Sequence, residues 1–120
     1  MSTKPKAIVL TGSILHESDA KTAHGLIRGT ERFEIVAVID TQHAGKDAGE
    51  VIDGVFRNIP VFVDVNTAIQ AIDNIEFCII GIATVGGVLP EAFLPIIETC
   101  IKHKMSIVNG LHEYLSDNKH

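Results

Sequence analysis

The segment DTQHAGKDAG, which begins at Asp40, brings several kinds of polar side chain together in a short stretch. Asp40 ends an apolar, β-branched run, and His43 and Lys46 follow it at intervals of three. An acid at the end of the second strand of a dinucleotide-binding fold accepts hydrogen bonds from ribose hydroxyls, and GKDAG could form a backbone nest for an anion. Alternatively, Asp40 starts the following turn by accepting hydrogen bonds from its own backbone. The segment therefore predicts one wall of a pocket for a phosphate-bearing ligand.

The elements that position these side chains alternate between strand and helix along the chain. Short apolar runs predict the strands, and apolar residues at spacings of three and four predict the helices. The predicted strands span residues 7–10, 33–40, 58–64, 76–83 and 105–110, the predicted helices span residues 18–29, 66–74, 90–104 and 111–117, and residues 41–54 are predicted to be a loop. This order predicts a single α/β domain over residues 1–120. Its expected architecture is a Rossmann-like open parallel five-stranded sheet, order 3-2-1-4-5, with helices on both faces.

Individual residues predict where the helices begin and which faces are buried. Ser18 and Asn66 are predicted N-caps, and Gly29 is predicted to end the first helix. Pro95 lies early in the third helix, so this helix either begins near Phe93 or is kinked in its first turn. The predicted inward face of the third helix consists of Phe93, Ile96, Ile97, Cys100 and Ile101.

A ligand is expected beyond the carboxyl ends of the strands, between the first and fourth strands, where the strand order reverses. Four polar or glycine-rich segments reach this edge, namely TGS, DTQHAGKDAG, ATVGG and NGLHE. The first lacks the GxGxxG pattern, but the helix that follows it can bind an anion at its N-terminus, with Lys21 beside it; the alternative is an ordinary surface lysine. The predicted ligand-binding residues are Thr11, Gly12, Ser13, Lys21, Thr22, Asp40, His43, Gly45, Lys46, Thr84, Gly86, Gly87, Asn109 and His112. His16 and His24 lie near the same edge.

Composition and spacing argue against several classes of function. The chain has 120 residues, a net charge of −5 and scattered basic residues, which disfavours nucleic-acid binding. Its apolar runs are too short to span a membrane and its N-terminus lacks a signal-peptide core, so a cytoplasmic protein is expected. Cys78 and Cys100 lie in apolar runs without CxxC spacing and are expected to be buried. No spacing typical of a metal site is present, and no metal is expected.

Five stretches of the sequence together resemble a known family. They are DAKTAHGLIR, ERFEIVAVIDTQHAGKDAGEVIDG, IP, GIATVGGVLPE and IVNGLHEYLSD. From about Ala7 to Asp117 the chain resembles the N-terminal Rossmann-like domain of the D-glutamate N-acetyltransferase-like family. More distantly, the strand order and the stretches IPVF and GIA are similar to the CoA-binding domain of succinyl-CoA synthetase.

The resemblance implies a function that the residues alone do not give. Members of the family carry a P-loop domain after the Rossmann-like one, and this chain ends where that domain would begin. We therefore expect a ligand-binding domain for CoA or a nucleotide, not catalytic on its own. Either it is the separate N-terminal half of a split acyltransferase, or it is an excised domain, or it is a free-standing domain with another use. The alternative is a non-catalytic interaction module that docks a P-loop partner or self-associates as a homo-oligomer. An NAD-dependent oxidoreductase is disfavoured because the glycine fingerprint is missing.

Overall fold

The structure, a computed structural model, describes residues 4–17, 20–82 and 91–109. Its centre is a five-stranded parallel sheet in the order β3-β2-β1-β4-β5. The strands are β1 (Lys6–Gly12), β2 (Glu34–Asp40), β3 (Val61–Phe62), β4 (Ile75–Ile80) and β5 (Ser106–Asn109). The predicted fold class and strand order are confirmed.

The helices connect successive strands and cover both faces of the sheet. They are α1 (Lys21–Arg28), α2 (Ala48–Asp53), α3 (Val65–Ala71) and α4 (Leu94–Lys102), the last preceded by a 3-10 turn at Glu91–Phe93. Helix α1 contacts α2, and α3 contacts α4. The chain adds β2 and β3 on one side of β1, and then β4 and β5 on the other side of β1. Because the crossovers are right-handed, this reversal places the two helix pairs on opposite faces of the sheet.

The core lies around β1 and β4, which are covered on both faces. Residues Ala7–Leu10 are almost completely buried, as expected for a continuous apolar run inside a parallel sheet. Cys78 and Cys100 are both fully buried, which confirms their predicted positions. The hydrogen bond between their thiols, together with burial, raises the pKa of Cys78.

Helix α1 packs closely on the end of β4 because Gly81 has no side chain. A Cβ there would lie 2.6 Å from Val9 Cγ1 and 2.9 Å from Ala23 Cβ. The Ala23 amide donates to the Gly81 carbonyl at 3.1 Å, so one of the first amides of the helix is used inside the protein. Ala23 and Ile27 face the core and Gly29 ends α1, as predicted.

Several helix boundaries differ from the prediction. Helix α1 begins at Lys21 after Ala20, which makes no side-chain capping bond; the predicted cap, Ser18, lies outside the described residues. Helix α3 is capped by Asp64, whose carboxylate accepts from the Thr67 amide at 2.8 Å, and not by Asn66.

Helix α4 resolves the question that Pro95 raised. The regular helix begins at Leu94, so Pro95 lies in its first turn, where a missing N–H is tolerated. Phe93 and Cys100 face inward as predicted, but Ile101 is 58% exposed and its predicted burial is wrong. The predicted helix at residues 111–117 lies outside the described part of the chain.

The predicted loop after β2 contains the short helix α2. Asp47 caps it by accepting from the Glu50 amide at 3.1 Å, and Gly54 ends it in the left-handed conformation at φ 80°. This combination of Asp, Glu three residues later and a closing Gly is a sequence signature of a helix. The helix brings Glu50 to the carboxyl edge of the sheet, next to the predicted ligand segment.

Candidate functional site

Asp40 lies fully buried at the end of β2 and joins the two loops that predict the ligand edge. One carboxylate oxygen accepts from Thr11 Oγ1 at 2.7 Å and from the Leu15 amide at 2.9 Å. The other accepts from the amides of Gln42 at 3.0 Å and His43 at 3.1 Å, and lies 2.8 Å from His43 Nδ1. Donors of this chain therefore contact both oxygens, and the two from Gln42 and His43 are those expected if Asp40 starts the following turn. Asp40 thereby links the loop after β1 to the loop after β2.

The same carboxylate sets the orientation of the His43 ring. A carboxylate can only accept, so Nδ1 carries the hydrogen and Nε2 remains as the second ring nitrogen. The ring is mostly buried, and its centroid lies 4.9 Å from that of the exposed His16. Asp40 and His43 thus form a carboxylate–imidazole pair in which the acid fixes the tautomer of the base.

The loop after β1 is held from both sides. Leu15 is buried, its amide bonds to Asp40, and its carbonyl lies 2.6 Å from His24 Nε2. Gly12 adopts φ 69°, which favours glycine, and its carbonyl accepts from the Thr41 amide at 2.8 Å. These contacts fix the positions of His16 and Ser13 on either side of Leu15.

One cavity at this edge is lined mostly by polar and charged residues, and we call it the polar cavity. It has a volume of about 600 Å³, within the usual range for small-molecule sites. It is lined by His16, His43, Gly45, Lys46, Asp47, Glu50, Val51 and Phe56. Three of the predicted ligand residues, His43, Gly45 and Lys46, therefore share one cavity with His16.

Asp47 stabilises the wall of the polar cavity. Its carboxylate accepts from the amides of Ile59 at 2.7 Å, Arg57 at 2.9 Å and Glu50 at 3.1 Å. Burial opposes its ionisation, but these amides and that of Gly49 outweigh burial and lower the pKa of Asp47. Asp47 remains charged at neutral pH, and its negative charge is balanced by backbone dipoles.

Three amides of GKDAG have partners inside the protein, which argues against the predicted backbone nest. They donate from Gly45 to the Val61 carbonyl, from Lys46 to the His43 carbonyl and from Ala48 to the Ile59 carbonyl. The Lys46 carbonyl in turn accepts from the Val61 amide at 2.9 Å. The segment is therefore bonded along the outer side of β3, and it offers a ligand its side chains.

A second cavity lies at the carboxyl ends of β1, β2 and β3, beside the start of α4, and we call it the apolar cavity. It has a volume of about 490 Å³. It is lined by Leu10, Thr11, Gly12, Ser13, Ile14, Ile39, Thr41, Val63, Ile82, Ala92, Phe93 and Ile96. A Cβ on Gly12 would lie 3.1 Å from the Phe93 ring, so the glycine lets this ring pack over the loop.

Six of the predicted ligand residues line one of the two cavities, three in each. Thr11, Gly12 and Ser13 line the apolar cavity, while Lys21 and Thr22, at the start of α1, line neither. Asn109 is the last residue of β5, and Thr84, Gly86, Gly87 and His112 lie outside the described residues.

Sequence reasoning did not name four residues of the polar cavity as ligand-binding: Asp47, Glu50, Val51 and Phe56. The first two belong to the overlooked capping signature of α2. Phe56 is 63% exposed, and an apolar aromatic residue between Gly54 and Asn58, in an otherwise turn-like stretch, was the available signal.

Two further properties of the described residues bear on the site. No helix among them is long and apolar enough to cross a membrane. Within the same part of the chain, no three His, Cys, Asp or Glu side chains form a group that could hold a metal ion.

The strand order and the ligand-sized cavities at the carboxyl ends of its strands define a Rossmann-like domain. Residues 41–120 match the family described as Domain of unknown function (DUF1611_N) Rossmann-like domain, and the chain belongs to this family. A solved structure of a DUF1611 family protein from Anabaena variabilis is similar, with a TM-score of 0.78 and 32% sequence identity. The match covers 91% of this chain and 31% of that one, so this chain spans less than a third of its relative. No curated protein matches the sequence.

Proposed function

We propose that the polar cavity binds the phosphate of a small molecule, with CoA or a nucleotide as the ligand class. The observation that carries this proposal is the shared lining of Lys46, His43 and His16 in a cavity of about 600 Å³. Lys46 supplies an ammonium group, and the Nδ1 contact with Asp40 leaves Nε2 of His43 for other partners. Anion binding here uses side chains, since the amides of Gly45, Lys46 and Ala48 are bonded within the protein.

The same cavity contains two carboxylates, and their effects on an anion differ. Asp47 accepts several backbone hydrogen bonds, which offset its charge, and it lies mostly buried in the wall. Glu50 is exposed at the first turn of α2, where water screens its charge. Lys46 is also exposed, so a phosphate that displaces water from its ammonium group can contact it directly.

The finer proposal is that this domain is the N-terminal part of an acyltransferase. The resemblance to the D-glutamate N-acetyltransferase-like family, and to the CoA-binding domain of succinyl-CoA synthetase, makes CoA and acetyl-CoA the first ligands to test. The similar protein of known structure is much longer than this chain. The acyl transfer itself would then depend on residues contributed by a further domain, such as a P-loop domain.

A thermal-shift screen with CoA, acetyl-CoA, ATP and NAD tests the binding proposal, because a ligand that binds the native state raises its apparent stability. Titration calorimetry of the best ligand then compares Lys46→Ala and His43→Gln with Lys104→Ala. A charge-assisted hydrogen bond contributes about 1.5–3 kcal/mol, so Lys46→Ala should weaken binding about 10- to 150-fold.

Lys104 is the matched control, an exposed lysine between α4 and β5, away from both cavities. Its replacement should leave the affinity unchanged. Equal affinities for Lys46→Ala, His43→Gln and Lys104→Ala would refute the phosphate site.

The second candidate function is an interaction module, and the character of the apolar cavity favours it. Val63 on its rim is 46% exposed, and Leu94, next to the lining residue Phe93, is 51% exposed. Exposed apolar side chains beside an apolar cavity are typical of protein contact sites. The occupant would be a P-loop partner or a second copy of the chain.

Light scattering at increasing protein concentration tests self-association, and mixing with a separately produced P-loop domain of a longer family member tests docking. Val63→Asp should abolish either complex while leaving binding at the polar cavity intact. A monomer at all concentrations that does not bind the P-loop domain would exclude this candidate.

A further inference from the structure

Phe56 is a large apolar side chain in an unusual position at the mouth of the polar cavity. It is 63% exposed and lines the cavity together with Lys46, His43 and Val51. Burying a phenylalanine side chain stabilises a folded protein, and the exposed Phe56 ring contributes little of that stabilisation. The cavity therefore combines a cationic side and an aromatic side.

The backbone around Phe56 is fixed by hydrogen bonds from both of its neighbours. The Val55 amide donates to Asp53 at 3.2 Å, and the Arg57 amide donates to Asp47 at 2.9 Å. The Arg57 guanidinium donates to both Asp53 oxygens, at 2.7 and 3.1 Å. The ring is thus carried by an ordered turn, which reduces the entropy lost when a ligand contacts it.

We propose that Phe56 is a stacking surface for a heteroaromatic ring, and that the ligand of the polar cavity carries this ring and its phosphates in one molecule. The inference rests on the phosphate-binding function proposed above and adds the second half of the ligand. The chemistry is that of a nucleoside diphosphate, free or as the ADP portion of CoA. The phosphates lie near Lys46 and His43, and the ring lies against Phe56.

The remaining lining residues fit the middle of such a ligand. Glu50 presents an exposed carboxylate in the same cavity, which can accept hydrogen bonds from ribose hydroxyls. Asp40, for which the sequence offered a ribose contact as one of two alternatives, accepts hydrogen bonds inside the protein. Val51 adds an apolar side chain to the lining of the same cavity.

Titration calorimetry with ADP, CoA and inorganic pyrophosphate tests the proposal on the wild-type chain, Phe56→Ala, Phe56→Trp and Val55→Ala. Phe56→Ala should weaken ADP binding about 5- to 150-fold, which is about 1–3 kcal/mol at 1.4 kcal/mol per tenfold, and leave pyrophosphate binding unchanged. Phe56→Trp should retain ADP binding. Val55→Ala is the matched control, since Val55 is 53% exposed and does not line the cavity, and it should bind like the wild type.

The outcomes separate this inference from the function on which it rests. A loss confined to ADP identifies a free nucleotide, and an equal loss for CoA identifies the ADP portion of CoA; both support stacking. If pyrophosphate binds and ADP binds no more tightly, or if Phe56→Ala weakens both equally, stacking is overturned while the phosphate site stands. If the wild-type chain binds none of the three, both proposals are overturned. Circular dichroism checks that each variant is folded, as expected for changes at exposed positions.

Discussion

Replacing Asp40 with Ala should destabilise the protein by about 2–4.5 kcal/mol. The carboxylate accepts from two buried donors, the Thr11 hydroxyl and the Leu15 amide, at 2.7 and 2.9 Å. The buried Leu15 amide would be left without an acceptor, which costs about 1–3 kcal/mol. The Thr11 hydroxyl would exchange a hydrogen bond to a charged acceptor for a weaker one to the Ile39 carbonyl, which costs about 1–1.5 kcal/mol more. The amides of Gln42 and His43 are only partly buried and can turn to water, so they add less.

A double-mutant cycle with Thr11→Val makes the prediction specific to one contact. In the wild-type chain, removing the hydroxyl loses a hydrogen bond to a charged acceptor and should cost about 1.5–3 kcal/mol. In the Asp40→Ala background the hydroxyl still has the Ile39 carbonyl at 3.3 Å, so the same change should cost only about 0.5–1.5 kcal/mol. The expected coupling energy is therefore about 1 kcal/mol or more.

Urea unfolding of the four proteins measures this coupling. Thr99→Val is the matched control, because the Thr99 hydroxyl bonds within α4 to the Pro95 carbonyl, and its effect should be independent of Asp40. Additive effects of Thr11→Val and Asp40→Ala, within about 0.3–0.5 kcal/mol, would refute the role assigned to the Asp40 carboxylate.

Three further predictions concern stability and reactivity. The hydrogen bond from Arg57 lowers the pKa of Asp53 to about 2, below its ordinary value of 3.8, so this contribution to stability is complete above about pH 4 and is lost as the pH falls towards 2. Asp53→Asn should therefore flatten the fall in urea midpoint between pH 4 and 2, and an unchanged slope would contradict the assignment. Gly81→Ala should cost about 1–3 kcal/mol through overpacking, whereas Gly25→Ala, at an open position in α1, should gain about 0.5–1 kcal/mol; similar values in urea unfolding would contradict the close packing of α1. Cys78 should stay unlabelled by thiol reagents under native conditions, and rapid labelling would show that β4 is not buried as described.

The sequence predicted the sheet because its strands obey a strong and local rule. Parallel strands buried on both faces require continuous apolar runs, and the runs around Val9, Ala37 and Ile79 are of this kind. The helix caps were harder to predict because Asp64 and Asn66 are both good caps in sequence, and only the chain path into α3 decides between them.

The candidate site was predicted in location but not in arrangement. His43 and Lys46 were expected at the ligand edge and do line one cavity there. The role of Asp40 depends on the positions of Thr11 and Leu15, which are distant in the sequence and reach it only in the folded sheet. Helix α2 was missed because it is too short to show a helical apolar period, although the residues that begin and end it are recognisable in the sequence.

The hydrogen bonds that Gly45 and Lys46 make with Val61 also bear on the tendency of the protein to aggregate. Strand β3 lies at one edge of the sheet. On the side facing away from β2, the Val61 carbonyl accepts from the Gly45 amide and the Val61 amide donates to the Lys46 carbonyl. An uncovered outer strand is a template on which another chain can add a strand and begin to aggregate. The segment that supplies Lys46 to the cavity therefore also protects the sheet edge. Engineering that shortens this segment to alter ligand preference would expose the edge, and its first symptom would be insolubility.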